Sequence, residues 1–234
     1  MKTVIFAGPS IFGVDMSRYA KFSLSGPAAA GDILAAVRDG FTAIGLIDGL
    51  YGDTTAVWHK EILYALSEGV HVVGAASMGA LRAAECAAFG MEGIGAIFED
   101  YLSGRRVSDA DVAIAHAPAE LAYQPVSLAL VDVEATLDVP NLPFSMSQRQ
   151  SLLGAARSLH FSGRSWRMIV TAADIADEER GSTTALLAQH HRQAKREDAV
   201  RLLDHLLLPA GDLADRRWTF QRTGFFSRLE ERLR

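Results

Sequence analysis

Residues 70–82 read Val-His-Val-Val-Gly-Ala-Ala-Ser-Met-Gly-Ala-Leu-Arg. The β-branched start is typical of a buried strand, and the Ala-, Leu- and Arg-rich end is typical of a helix. Ser77 lies among small residues at the point where the strand turns into the helix. A serine there can cap the helix, or hold its hydroxyl beside the unpaired backbone N–H groups of the first helical turn. The stretch therefore predicts a strand–turn–helix unit in which Ser77 is either a cap or a nucleophile.

The same pattern extends toward the N-terminus. Residues 3–7, 42–47 and 70–75 are short apolar segments, each closed by Gly, Pro, Asp or a small-residue turn, as expected of buried parallel strands. Residues 32–38, 55–67 and 78–89 have helical patterns, the second beginning at a threonine cap. Alternating strands and helices with short connections predict an α/β fold with a parallel-sheet core of βαβ units.

The rest of the chain is mostly helical in pattern. Residues 93–102 are expected to be helical, 112–116 could form a strand, and 127–137 fit a helix better than a strand. Helices are predicted at 145–159, 164–176, 183–208 and 225–232. We expect an α/β core domain over residues 1–140 and a helical C-terminal region over 141–234.

Composition limits the classes of function. The 234 residues carry a net charge of −5, with 49% hydrophobic and 22% charged residues, as in ordinary globular proteins. An acidic chain gives no support to nucleic-acid binding. A single cysteine, Cys86, excludes an intramolecular disulfide and a multi-cysteine zinc site, and its mid-helix position favours a core role. The sequence shows neither a signal segment nor a run of roughly 18 apolar residues, so we expect no membrane association and a cytoplasmic location.

Polar or flexible residues follow each of the three predicted strands. They are Gly8-Pro9-Ser10, Asp48-Gly49 and Ser77. Ligands of open α/β sheets bind at the carboxyl ends of the strands, so these segments are expected to form one site.

A serine nucleophile needs a general base. Lys60 is the strongest candidate, because its helical neighbours at three and four residues are apolar and disfavour the charged ammonium. The alternative is that Lys60 merely extends over the edge of the sheet. His59 and His116 are the histidines whose positions also permit a Ser-His arrangement.

A phosphate-binding loop is the competing interpretation of the glycine spacing. Gly74 and Gly79 have that spacing, but Ala80-Leu81 stands where Lys-Ser/Thr is required. The acidic residues match no metal-ligand pattern. We therefore predict no cofactor and no metal.

Several blocks carry a family resemblance. They are Gly8-Pro9-Ser10, residues 44–49, 57–62, 74–85 and 89–91, Val112-Ala113 with His116, and residues 130–132 with 135–137. In this order they resemble the TfuA-like family over roughly residues 1–140. The resemblance implies a partner of YcaO enzymes in peptide backbone thioamidation, within the biosynthesis of ribosomally synthesised and post-translationally modified peptides (RiPPs). TfuA-like proteins are associated with hydrolysis of a thiocarboxylated, ThiS-like sulfur carrier protein, which releases sulfide for the YcaO enzyme.

Carried over residue by residue, the family's Ser-Lys pair falls on Ser77 and Lys60. Ser77 would attack the thiocarboxylate, Lys60 would take its proton, and the Met78 N–H would hold the oxyanion, with N–H groups of the Gly8–Ser10 loop as further donors. Asp48 would orient either Lys60 or Ser10. The alternative function is a non-catalytic docking subunit that raises the affinity of YcaO for its peptide substrate.

Overall fold

The computed structural model describes residues 2–52, 54–209 and 218–232. The chain divides into two compact units, the first made of Met1–Val107 and Arg196–Arg234 and the second of Ser108–Lys195. The boundary that the sequence analysis places after residue 140 therefore lies inside the second unit. The segments on either side of the second unit belong to one compact body.

The first unit contains a five-stranded sheet. Its strands are β1 (Thr3–Phe6), β2 (Ser23–Ser25), β3 (Ala43–Leu46), β4 (His71–Ala75) and β5 (Glu92–Ile94). Their order is β2-β1-β3-β4-β5, and all four pairings are parallel. This is one of the two common orders of doubly wound sheets, with a switch point between β1 and β3. The predicted α/β fold with a parallel-sheet core is confirmed.

Ten α-helices are found among the described residues. They are α1 (Asp32–Arg38), α2 (His59–Ser67), α3 (Met78–Cys86), α4 (Ala96–Leu102), α5 (Leu130–Leu137), α6 (Met146–Ser158), α7 (Trp166–Ala172), α8 (Arg180–Gln189), α9 (Ala194–Leu207) and α10 (Gly224–Arg232). No helix in the described part of the chain is long and apolar enough to cross a membrane.

The sheet is covered on both faces because successive strand residues point to opposite sides. Val4 and Phe6 of β1 belong to the core cluster that contains residues of α1, α2 and α3. Ile5 belongs to the cluster on the other face, together with Leu202 and Leu206 of α9. The near-continuous apolar character of β1, β3 and β4 follows from this double burial.

The second unit is helical, and all of its residues are described. α5, α6, α7 and α8 share one core cluster, which includes Leu152, Ile169 and Leu187. The strand considered for residues 112–116 is not formed, since only an isolated bridge joins His116 to Pro125. The helix favoured for residues 127–137 is present as α5.

Several predicted boundaries need correction. α2 begins at His59 instead of residue 55, and α3 ends at Cys86, followed by a 3-10 turn over Ala87–Phe89. The helix expected over residues 93–102 is divided into β5 and α4. The long helix expected over residues 183–208 is interrupted between α8 and α9.

Candidate active site

The turn between β4 and α3 places Ser77 at the carboxyl edge of the sheet. Ala76 has a φ of 66°, in the left-handed region that alanine rarely occupies, and it is fully buried. The Ser77 N–H donates to the Ala75 carbonyl at 2.8 Å. A non-glycine residue in this conformation costs about 1–3 kcal/mol, so the surrounding packing must hold the turn in place.

Two glycines allow α3 to start directly on the sheet. A Cβ atom on Gly79 would lie 1.8 Å from the Leu46 carbonyl oxygen, and one on Gly74 would lie 2.2 Å from the Gly79 carbonyl oxygen. The Gly79 N–H donates to the Ile47 carbonyl at 3.1 Å. The spacing that resembles a phosphate loop therefore serves close packing of backbone against backbone.

Ser77 is 8% exposed, and its hydroxyl does not cap α3. Among the described residues the hydroxyl has no hydrogen-bond partner. Met78 is the first residue of α3, so its N–H has no acceptor within the helix, and no acceptor elsewhere in the described chain takes it. A hydroxyl and an N–H that have no partner in the described part of the chain thus lie on adjacent residues of one strained turn. Of the two alternatives considered for Ser77, the side-chain cap is not observed.

Asp48 holds the loop that follows β1. Its carboxylate accepts hydrogen bonds from the Gly8 N–H and the Ser10 N–H, both at 2.9 Å, and from the Ser10 hydroxyl at 2.7 Å. Asp48 is 2% exposed. Of the two partners considered for Asp48, these hydrogen bonds join it to Ser10. The N–H groups of Gly8 and Ser10 are engaged here, and Pro9 has none, so this loop offers no spare donor to an oxyanion.

The loop after β3 touches the start of α3. A Cβ atom on Gly49 would lie 2.7 Å from Cγ of Met78, a flexible side chain. Together with the bonds of Asp48, this contact brings the ends of β1, β3 and β4 to one place. The predicted convergence of Gly8-Pro9-Ser10, Asp48-Gly49 and Ser77 is present in the structure.

Lys60 lies in the first turn of α2 and is half-buried. Its ammonium donates to the Gln221 carbonyl at 2.9 Å and lies 5.1 Å from the centre of the Phe220 ring. Neither contact involves Ser77, and within the described residues no hydrogen bond joins Lys60 to Ser77. The structure therefore places Lys60 against the segment that precedes α10.

His59 instead contacts α3. Its Nε2 lies 2.8 Å from the Glu85 carboxylate, which also accepts a 2.6 Å bond from Arg82. His116 lies in the second unit, with its Nδ1 2.8 Å from the Ala117 carbonyl oxygen. Cys86 is 1% exposed, and burial raises the pKa of its thiol to about 11, which agrees with the core role predicted for it.

Glu61 is a residue of this edge that the sequence analysis did not single out. Its fully buried carboxylate accepts the N–H of Gly31 at 2.7 Å and the N–H of Trp58 at 3.2 Å, and so supports the N-termini of α1 and α2. Burial raises the pKa of Glu61 to about 7, against the opposing effect of these N–H donors. A glutamate three residues after a helix start is a capping-box signal, and it could have identified this residue.

Comparison with known protein families identifies the family of the chain. The sequence model of TfuA-like proteins matches residues 48–165, half of the chain. The chain belongs to the TfuA-like family. The match includes Asp48, Lys60 and Ser77, and it begins after the Gly8-Pro9-Ser10 block. A comparison with curated proteins gives no match.

Proposed function

We propose that this TfuA-like protein is a partner of a YcaO enzyme in peptide backbone thioamidation, and that it hydrolyses a thiocarboxylated, ThiS-like sulfur carrier protein. The observation that carries the proposal is the β4–α3 turn. It presents the Ser77 hydroxyl and the Met78 N–H side by side, and neither has a hydrogen-bond partner among the residues that the structure describes. Preorganised N–H donors at a developing oxyanion are commonly worth about 3 kcal/mol of transition-state stabilisation.

The reaction has two steps. The Ser77 oxygen attacks the carbonyl carbon of the carrier's C-terminal thiocarboxylate, its proton passes to a base, and the C–S bond breaks to release hydrogen sulfide. Water then attacks the resulting ester, which returns the Ser77 hydroxyl and leaves the carrier with a carboxylate. Neither step involves oxidation or reduction, and neither uses ATP.

Lys60 is the base in this proposal. Its side chain has to exchange the Gln221 carbonyl for the Ser77 hydroxyl, and the amine has to be neutral to accept the proton. An exposed hydrogen bond to a carbonyl contributes little free energy, so binding of the carrier tail can drive the exchange.

The test is sulfide release by the isolated chain from a thiocarboxylated carrier in the absence of YcaO. Ser77→Ala is expected to lower the rate at least about 1000-fold. The matched control is Ser67→Ala, which removes a hydroxyl that bonds the Tyr64 carbonyl at the end of α2, and which is expected to keep the wild-type rate. Wild-type protein that releases no sulfide, or a Ser77→Ala variant within tenfold of wild type, would contradict the proposal.

One observation favours a second function: the Lys60 ammonium donates its hydrogen bond to the Gln221 carbonyl and not to Ser77. In this alternative the chain is a non-catalytic docking subunit that raises the affinity of YcaO for its peptide. It predicts no sulfide release by the isolated chain. It also predicts that the Ser77→Ala variant, when added to YcaO, raises the affinity of YcaO for its peptide as much as the wild-type chain does. Fluorescence anisotropy of a labelled peptide measures this affinity.

A further inference from the structure

Two histidines and one glutamate meet at the opposite edge of the sheet from Ser77. Glu92 lies between them, with its Oε2 2.8 Å from Nε2 of His71 and its Oε1 3.0 Å from Nε2 of His205. One ligand atom from each of the three residues lies within 4.8 Å of the others. The two imidazoles therefore face both oxygens of one carboxylate.

The sheet register explains why these residues meet. His71 begins β4 and Glu92 begins β5, where Glu92 pairs with Val73. Residues two apart on a strand share a face, so His71 lies on the same face as Val73 and Glu92. Val73 belongs to the core cluster that contains Leu202 of α9. His205 follows Leu202 by three residues, which brings it to the same side of that helix.

We propose that His71, Glu92 and His205 bind one divalent transition-metal ion, with Zn²⁺ as the best match. Two imidazoles and a carboxylate are a frequent three-ligand set for Zn²⁺, with water as the fourth ligand. A tetrahedral Zn²⁺ with bonds of about 2.0–2.1 Å separates its ligand atoms by roughly 3.3 Å. The present separations reach this arrangement by side-chain shifts of about 1.5 Å or less.

Accessibility and charge agree with this assignment. The side chains are 14%, 39% and 32% exposed for His71, Glu92 and His205, so an ion and its water can enter without unfolding. The carboxylate supplies one negative charge toward the dication, and neutral imidazoles supply nitrogen donors. The ion would join β4, β5 and α9 at the amino edge of the sheet, away from the Ser77 turn.

The surroundings of His71 limit the affinity. Its Nδ1 is buried and has no hydrogen-bond partner within residues 2–52, 54–209 and 218–232. When Nε2 binds a metal, the ring carries its proton on Nδ1, and an acceptor for that proton usually strengthens binding by about 10–100-fold. We therefore expect an affinity below that of closed structural zinc sites, and a site that loses its ion during chelation.

The test uses the full chain without a histidine tag, stripped with a chelator. Titration with ZnCl₂ in a calorimeter is expected to show one ion per chain, with a dissociation constant tighter than about 10 µM. Co²⁺ in place of Zn²⁺ is expected to give the visible absorption of a four-coordinate site. Added Zn²⁺ is expected to raise the melting temperature.

Glu92→Gln is expected to weaken Zn²⁺ binding at least about 100-fold. The matched control is Glu85→Gln, the same change in a carboxylate that contacts a single histidine at 2.8 Å, and it should leave Zn²⁺ binding unchanged. His205→Gln gives a second variant if Glu92→Gln fails to fold by circular dichroism. A dissociation constant weaker than about 10 µM for the wild type, or equal affinities in wild type, Glu92→Gln and His205→Gln, would show that the cluster is only a set of histidine–carboxylate contacts.

Discussion

Replacement of Asp48 by alanine tests how the candidate site is held together. The change removes the acceptor of three hydrogen bonds, two from the backbone N–H groups of Gly8 and Ser10 and one from the Ser10 hydroxyl. All three donors are buried, and each buried donor left without a partner costs about 1–3 kcal/mol. We expect Asp48→Ala to lower the free energy of unfolding of the first unit by about 4 kcal/mol.

Asp48→Asn is the conservative counterpart. The amide oxygen can keep both N–H donors, and the amide nitrogen can donate to the Ser10 hydroxyl, so only the contribution of the charge is lost. We expect a cost of about 1–2 kcal/mol, close to that of Ser10→Ala. Urea unfolding gives the free energies, and hydrogen exchange at the Gly8 and Ser10 amides reports the loop directly. The reasoning fails if Asp48→Ala unfolds within 1 kcal/mol of wild type, or if Asp48→Asn is as costly as Asp48→Ala.

The other predictions concern packing, pH and the base. The pKa of Glu61 is about 7 in the folded chain, and its ordinary value is 4.5. Between these pH values the folded chain keeps a proton that the unfolded chain releases. The free energy of unfolding should therefore fall by about 3 kcal/mol as the pH rises from 4.5 through 7. Glu61→Gln should abolish this part of the pH dependence, and an unchanged urea-midpoint profile would contradict it. Gly79→Ala should destabilise the protein by more than about 3 kcal/mol because the new Cβ overlaps the Leu46 carbonyl. Gly154→Ala, in open space within α6, should stabilise it by about 0.5–1 kcal/mol. Similar melting temperatures for the two variants would refute this prediction. Lys60→Arg should lose sulfide release as fully as Lys60→Ala, at least about 100-fold, because guanidinium does not act as a base; an active Arg variant would assign Lys60 an electrostatic role.

The strands that could be predicted from sequence are β1, β3 and β4, and every residue in them except His71 is buried. β1 and β3 are buried at every position, so their composition alone marks them. β2 and β5 have three residues each, and these are exposed or half-buried. They exist because they pair with β1 and β4, and such pairing is not visible in local composition.

The start of α2 combines a local contact with a distant one. A threonine cap predicted a start at residue 55, whereas the helix begins at His59. The Glu61 carboxylate accepts the N–H of Trp58, the residue just before α2, and the N–H of Gly31, the residue just before α1. The second partner lies 30 residues away, so a capping rule applied to neighbouring residues cannot identify it.

The same distinction holds for the site. The turn at Ser77 was predictable because strand, small residues and helix follow one another directly in the sequence. The hydrogen bonds that Ser10 donates to Asp48 depend on β1 lying beside β3, and the hydrogen-bond partner of Lys60 is 161 positions away in the sequence. Sequence spacing gave no sign of the cluster of His71, Glu92 and His205, since these residues meet only through the fold.

Mass spectrometry of the chain mixed with thiocarboxylated carrier tests the role of Ser77 most directly. If Ser77 is the nucleophile, rapid acid quenching should trap a covalent ester whose mass equals chain plus carrier minus hydrogen sulfide. Fragmentation should place it on the peptide that contains Ser77, and Ser77→Ala should form none. Sulfide release that continues in Ser77→Ala, or an adduct on another residue, would contradict the proposal.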